Sequence, residues 1–190
     1  MASKTVDLDQ VEAGLRRTWQ QVRELTDNLR TEQLGCSPEP RRWSLAQCLE
    51  HLVTTDGLYL DKVEAVLAKA PAKAAGHGAR GHLRLWERLF VGSLEPPPKM
   101  RFPAPKIFLP ADAETVPSGD SPERFSEHQE RLLACLERAR TVDLDRTIVV
   151  SPVSRLIRLR LGAAFALVEV HQRRHLEQMR RVAEHPDFPG

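Results

Sequence analysis

Apolar side chains recur every three or four residues over four long stretches of the chain, a spacing that predicts four amphipathic helices. The first begins at Leu8 and follows this spacing to Leu29, and the helix is expected to end near Gly35. The other three stretches run from Leu45 to Leu67, from Phe125 to Ala139 and over 162–184. Pro71 closes the second helix, because proline removes a backbone donor and clashes with the preceding turn.

The start of the second helix carries a capping signal. Ser44 followed three residues later by Gln47 forms a capping box, in which each side chain satisfies a backbone N–H of the other. Trp43 and Cys48 stand at the hydrophobic staple positions on either side of it. The third helix is expected to begin with Ser121 as its cap.

The chain between the second and third helices, 71–122, is rich in proline and glycine, which predicts a long crossover that lets two neighbouring helices run parallel. A short helix is expected inside it at 82–94, with Leu83, Trp86, Leu89 and Phe90 on one side, and Trp86 is expected to be a core or staple aromatic. Short extended segments on both sides of Ser151 predict a small hairpin before the fourth helix.

These elements predict one all-α domain over 1–190, with a four-helix bundle as its architecture. A chain of 190 residues can bury one sizeable core and is short for two. Leucine, alanine, glutamate, arginine and glutamine dominate the composition, which favours helix over strand.

Charge and cysteine content exclude several function classes. The net charge of +2, from 28 basic and 26 acidic residues, argues against a nucleic-acid binder. No apolar run reaches the roughly 18 residues of a membrane span, and the polar N-terminus predicts no secretory signal. The three cysteines, Cys36, Cys48 and Cys135, form neither a disulfide framework nor a CxxC zinc module, which is typical of a reducing, cytoplasmic location.

The fourth helix carries His171 and His175, whose four-residue step places both imidazoles on one side of the helix. His175 falls within the apolar stripe of this helix and His171 at its edge, whereas Arg173 and Arg174 point away. Such a pair can chelate Zn²⁺, Ni²⁺ or Fe²⁺. The alternative is a pair of core histidines that are hydrogen-bonded to nearby carboxylates.

Two further histidines are candidates. His51 lies on the shoulder of the apolar stripe of the second helix, a position that suits a third ligand or an ordinary surface histidine. His128 lies near the inner stripe of the third helix and is expected to face the substrate or to support the ligands. His77, His82 and His185 are expected to be solvated.

The segments 43–52 and 151–178 together resemble the DinB superfamily, which also includes the YfiT-like proteins. The resemblance implies a bundle in up-down-down-up order, with a divalent metal held by His51, His171 and His175 near one end. Known relatives include S-transferases that use bacillithiol or mycothiol, and a mycothiol-dependent isomerase. The chain departs from the simplest members in its long 71–122 insert. It also carries Gln47 and Cys48 where many relatives have an acidic residue.

The resemblance and the histidine pattern lead to a functional hypothesis. Three neutral histidine ligands leave open positions on the ion, as in catalytic sites, so that it can activate a low-molecular-weight thiol (an S-transferase) or water (a hydrolase). Glu50 and Glu169 are candidates to orient an imidazole, the alternative being solvated helix-surface charges. Cys48 lies close enough to approach the metal, although a small buried side chain is the simpler interpretation.

Two other hypotheses remain open. The bundle can hold a metal or a ligand without catalysis, or it can be a dimeric, stress-related interaction protein with a vestigial site. The expected partners are a small-molecule substrate and a second copy of the chain, with neither nucleic acid nor membrane. A catalytic metal would exchange its water for added thiol or azide, whereas a closed site would not.

Overall fold

The computed structural model describes residues 4–39, 42–71, 79–96 and 119–189. Most of the predicted crossover, with His77, lies outside these ranges. The described residues form six helices and four short strands. The helices are α1 Leu8–Thr26, α2 Thr31–Gly35, α3 Leu45–Leu67, α4 Leu85–Leu94, α5 Ser121–Ala139 and α6 Leu161–Ala183, and the strands are β1 Thr5–Asp7, β2 Arg80–His82, β3 Ile148–Val150 and β4 Arg158–Arg160.

The four long helices pack against one another, with α5 and α6 each contacting both α1 and α3. Helix α4 packs on α6. The described chain is therefore mostly helical, with only small sheets, as the composition predicted. Its apolar interior divides into two clusters, one of which surrounds Phe165 and the other Phe125.

The predicted end of the first helix near Gly35 is wrong, since α1 stops at Thr26 and a separate short helix, α2, follows. The Thr26 hydroxyl donates to the carbonyl of Val22. Thr26, Asp27 and Asn28 are three consecutive weak helix formers. The break allows α2 to bury Leu34.

The predicted start of the second helix is confirmed. The Ser44 hydroxyl accepts from the Gln47 N–H at 3.2 Å, and the Gln47 side-chain oxygen accepts from the Ser44 N–H at 3.0 Å. Trp43 and Cys48 both pack with the cluster around Phe125. The capping box thus fixes where α3 begins.

The short helix predicted at 82–94 begins later, at Leu85, because His82 ends strand β2, which pairs antiparallel with β1. The expectation that Trp86 lies in the core is also wrong, since it is 39% exposed and Leu89 is 67% exposed. Glu87 is buried instead, and its two carboxylate oxygens accept from the N–H groups of Arg84 and Arg160. These two hydrogen bonds hold Glu87 on the buried side of α4, beside Val91.

The predicted hairpin is confirmed by strands β3 and β4, which pair antiparallel with Val149 opposite Leu159. Both side chains are fully buried, and α6 begins directly after β4. The inner face of α5 is also as predicted, but Ser121 is the first helical residue and not the cap, which is Asp120. The Ser121 side chain is buried and points towards Glu50.

Candidate metal centre

Helices α3 and α6 bring three histidines into one group. His51 comes from α3, and His171 and His175 from α6, 120 residues later in the chain. One nitrogen from each ring lies within 4.8 Å of the other two. The Nε2 atoms of His51 and His171 are 3.2 Å apart. The structure therefore places together the three residues that the sequence indicated as ligands.

The histidine group lies at the edge of the interior. His51 is 3% exposed and His175 is 7% exposed, whereas His171 lies closer to the surface. His51 is thus more deeply buried than its shoulder position on the stripe indicated. The ring centroid of His175 lies 4.6 Å from the ring centroid of His51 and 4.6 Å from that of His171. Burial of this kind removes water from the nitrogens and leaves them dependent on protein partners or on an ion.

The outer nitrogen of His171 is held by Asp56. The Nδ1 atom of His171 lies 3.0 Å from Asp56 Oδ1, and Gln172 donates to the other carboxylate oxygen at 2.9 Å. Asp56 is 1% exposed. Metal-binding histidines generally donate their second N–H to a carboxylate or carbonyl in this way, which orients the ring.

Sequence reasoning missed Asp56, although a signal was present. Asp56 stands four residues after Leu52 and four before Leu60, in the apolar stripe of α3. An acidic residue at such a position is rarely buried without a partner. The interrupted stripe therefore indicates a buried polar contact, but the identity of the partner depends on which helix packs there.

The outer nitrogen of His51 has a different partner. Its Nδ1 atom lies 3.3 Å from the Thr55 hydroxyl, one helical turn along α3. A hydroxyl both donates and accepts, so Thr55 can serve either tautomer of His51. The indole of Trp43 covers this ring on another side, with centroids 4.8 Å apart.

His175 carries a buried nitrogen, Nδ1, that has no hydrogen-bond partner in the described part of the chain. Burial lowers the pKa of His175 well below its ordinary value, and repulsion from His171 and His51 lowers it further. The ring is therefore neutral near pH 7 and keeps a lone pair that can bind an ion.

The three histidines fit a divalent transition metal. Neutral imidazoles are common ligands of such ions, and two nitrogens that share one tetrahedral zinc lie about 3.3 Å apart. The 3.2 Å between the Nε2 atoms of His51 and His171 agrees with this separation. A buried nitrogen without a partner on His175 is the further observation that favours an ion.

The two acidic candidates face other parts of the fold. Glu50 accepts from Arg124 of α5 at 2.7 Å. Glu169 pairs with Arg173 at 2.8 Å and lies against Gly14 of α1, and burial raises its pKa. Their catalytic role stays a prediction, and these contacts favour a structural part for both.

His128 is buried on α5, and its Nε2 atom has no partner among the described residues. Burial lowers the pKa of His128, and this effect outweighs the nearby charge of Asp56.

Cys48 is also fully buried, which raises the pKa of its thiol far above the usual range. That thiol is therefore protonated and structural.

The remaining histidines lie away from the group. His82 is exposed, as expected, and contacts Asp145 at 2.9 Å. His185, beside Glu39, keeps 26% of its side-chain exposure and is therefore less solvated than expected.

A known protein family covers the histidine group. The model of the DinB superfamily matches residues 14–179, which include all three histidines and Asp56. The chain belongs to the DinB superfamily. No curated protein and no solved structure matches this DinB-superfamily protein. Within the described ranges, none of its helices is both long enough and apolar enough to cross a bilayer.

Proposed function

We propose that His51, His171 and His175 of this DinB-superfamily protein bind one divalent transition metal ion and that the protein is a metal-dependent enzyme. One observation carries the proposal: three imidazole nitrogens from two helices converge within 4.8 Å. Zinc, nickel and iron all accept nitrogen ligands of this kind. Family membership adds support, since the match spans the whole group.

When bound, such an ion lowers the pKa of a coordinated thiol or water and so generates the nucleophile of an S-transferase or a hydrolase. The chain's own residues have defined parts. Asp56 and Thr55 hold the outer nitrogens of His171 and His51, and Trp43 covers one side of the group. Three protein ligands leave a position for a small-molecule substrate or a low-molecular-weight thiol, the pattern of catalytic rather than structural sites.

The proposal includes a four-helix bundle in up-down-down-up order. Contacts between α1 and α5 pair the start of one helix with the end of the other, since Arg140 donates to Asp9. Helices α3 and α5 pair start with start, since Arg124 donates to Glu50. The pairs Trp19–Ser126 and Glu64–Arg131 support these two directions. Helices α3 and α6 run antiparallel, since His51 meets His175 whereas the later Asp56 meets the earlier His171.

We also propose a cytoplasmic location and a homodimer. The three cysteines are free, which supports a reducing compartment. The exposed Leu85 and Leu89 of α4 offer apolar surface for a second copy. Sedimentation of the untagged protein tests the dimer directly.

Metal content of the untagged protein tests the site. We expect about one equivalent of transition metal in the parent and its loss in His51→Ala, His171→Ala and His175→Ala. His82→Ala is the matched control, because His82 is exposed and lies on strand β2. A parent that stays metal-free after incubation with zinc and nickel contradicts the proposal.

A second experiment separates an enzyme from a metal-holding bundle. In the cobalt-substituted protein, added thiol or azide is expected to change the visible absorption spectrum, because an open position exchanges its ligand. A spectrum that does not respond favours a closed, non-catalytic site. A response justifies a screen of thiol donors with electrophilic substrates.

A further inference from the structure

A chain of hydrogen bonds leads from His171 into the space between α3, α5 and α6. His171 contacts Asp56, Gln172 donates to Asp56, and Gln129 of α5 donates to the Gln172 side-chain oxygen at 2.8 Å. Asp56, Gln172 and Gln129 are all almost completely buried. Buried polar side chains are costly unless they are satisfied, so three of them in series require an explanation.

The carboxylate fixes the direction of this chain. An ionised carboxylate only accepts, so each of its neighbours must donate. Gln172 therefore turns its amide nitrogen towards Asp56 and its oxygen towards Gln129. Gln129 in turn directs its nitrogen at Gln172, and its own oxygen is left without a partner in the described part of the chain.

The same rule applies at the other end, where Asp56 faces His171. The Nδ1 atom of His171 must carry the hydrogen, because Asp56 Oδ1 can only accept from it. A neutral imidazole protonated on Nδ1 has its lone pair on Nε2. That Nε2 atom is the one that faces His51, at 3.2 Å.

The Thr55 hydroxyl beside His51 Nδ1 does not impose a tautomer on His51 in this way, because a hydroxyl can donate or accept. In the metal-free protein, His51 can therefore place a hydrogen on Nε2 and donate it to His171. With an ion at Nε2, His51 can carry this hydrogen on Nδ1 instead. His171 needs no such change.

We propose that Asp56 is a positioning residue that fixes His171 as the Nδ1–H tautomer, with its Nε2 lone pair directed into the histidine group, and that Gln172 and Gln129 hold Asp56 in place. The purpose of this arrangement rests on the proposed metal site, but the tautomer itself does not. It is a property of the metal-free protein.

Nitrogen-15 NMR of the histidine rings in the metal-free parent, at about pH 8, tests the inference without any variant. His171→Ala assigns the His171 signals. We expect a protonated Nδ1 and a bare Nε2 on His171. A proton on Nε2, alone or on both nitrogens, overturns the inference.

Two substitutions of Asp56 extend the test. Asp56→Leu removes the acceptor, so the Nδ1–H preference of His171 is expected to disappear and Zn²⁺ affinity to fall about 10- to 100-fold, measured against a chromophoric chelator. Asp56→Asn keeps an oxygen that can accept from His171, but its NH₂ group then faces Gln172. The side-chain amides of Gln172 and Gln129 must both rotate by half a turn, so that each presents its oxygen where its nitrogen was. It is expected to keep the tautomer and to lose less than about tenfold in affinity.

The two variants also give the contradicting result. A folded Asp56→Leu protein that keeps both the Nδ1–H form and the parent's Zn²⁺ affinity overturns the inference. If Asp56→Leu does not fold, the parent spectrum and Asp56→Asn still decide the inference. Absence of the Nδ1–H form of His171 in the parent contradicts the inference directly.

The outcomes distinguish this inference from the proposed function. A parent that binds no Zn²⁺ yet shows the Nδ1–H form supports the role of Asp56 and overturns the metal site. A parent that binds Zn²⁺ but carries the hydrogen on Nε2 of His171 in the metal-free state overturns the role of Asp56 and leaves the metal site standing.

Discussion

The indole of Trp43 lies nearly parallel to the imidazole of His175, with an interplanar angle of 15° and ring centroids 5.9 Å apart. The same indole is 4.8 Å from His51. Trp43 directly precedes the cap residue Ser44, so the turn that begins α3 also covers the histidine group. The start of this helix and the candidate site are therefore one structural unit.

Trp43 should report on metal binding through its fluorescence. Open-shell ions such as Co²⁺ quench indole emission at short range, and we expect saturable quenching at about one equivalent. Trp43→Phe is expected to remove most of the response. Trp86→Phe is the control, since Trp86 lies on α4 and is partly exposed. Equal quenching in the parent and in Trp43→Phe would contradict the proposed position of the ion.

The capping box of α3 should contribute measurably to stability. Ser44→Ala removes the acceptor of the Gln47 N–H and is expected to lower the free energy of unfolding by about 0.5–2 kcal/mol in urea titrations. Ser44→Asp keeps an acceptor and should change it far less. If Ser44→Asp is as unstable as Ser44→Ala, the cap hydrogen bond is not the cause.

Glu87 should be sensitive to an isosteric change. Its two oxygens accept from the backbone of Arg84 and Arg160, so it joins the starts of α4 and α6. Glu87→Gln places an amide NH₂ against one of these donors and is expected to cost about 1–3 kcal/mol of unfolding free energy. Glu130→Gln, at an exposed position of α5, should stay within about 0.5 kcal/mol. Equal effects of the two variants would contradict the bridge.

His128 should make the metal-free protein less stable in mild acid. Burial lowers the pKa of His128 from its ordinary value of 6.5, with Asp56 and Asp61 opposing and Arg131 adding to the effect. Below about pH 6.5 the unfolded chain takes up a proton that the folded chain does not, so stability falls as the pH falls.

His128→Gln removes this contribution and allows it to be measured. Between about pH 7.5 and 5.5, the parent is expected to lose up to about 1.4 kcal/mol more of its unfolding free energy than the variant. His175 titrates in both proteins and cancels in the comparison. Parallel losses in urea titrations at the two pH values would show that His128 keeps its ordinary pKa in the folded state.

The sequence predicts the long helices well, because their signals are local. The capping box places the start of α3, and the apolar spacing around Phe165 follows α6 closely. The same reasoning fails in part at α4, where Leu83 and Phe90 pack against the core as expected but Trp86 is exposed and Glu87 is buried. Its burial depends on the backbone of Arg160, 73 residues away, which no local pattern contains.

The histidine group is also only partly predictable. The four-residue step between His171 and His175 is visible in the sequence, and family resemblance adds His51. Asp56 escapes both kinds of reasoning, since its role depends on how α3 and α6 pack together. The pairing of β1 with β2, which places Val6 opposite Gly81, is missed for the same reason.

The three histidines belong to two helices that lie far apart in the sequence, with 120 residues between His51 and His171. An ion held by all three is therefore a crosslink that the unfolded chain lacks. Such a crosslink adds about 2.7 kcal/mol of apparent stability at a free ion concentration one hundred times Kd. On the proposed metal site, His171 and His175 alone, one turn apart, would keep some affinity in a partly folded chain and reduce this gain. We therefore expect the melting temperature of this protein to depend on the free metal concentration, so that variants are compared at a fixed concentration.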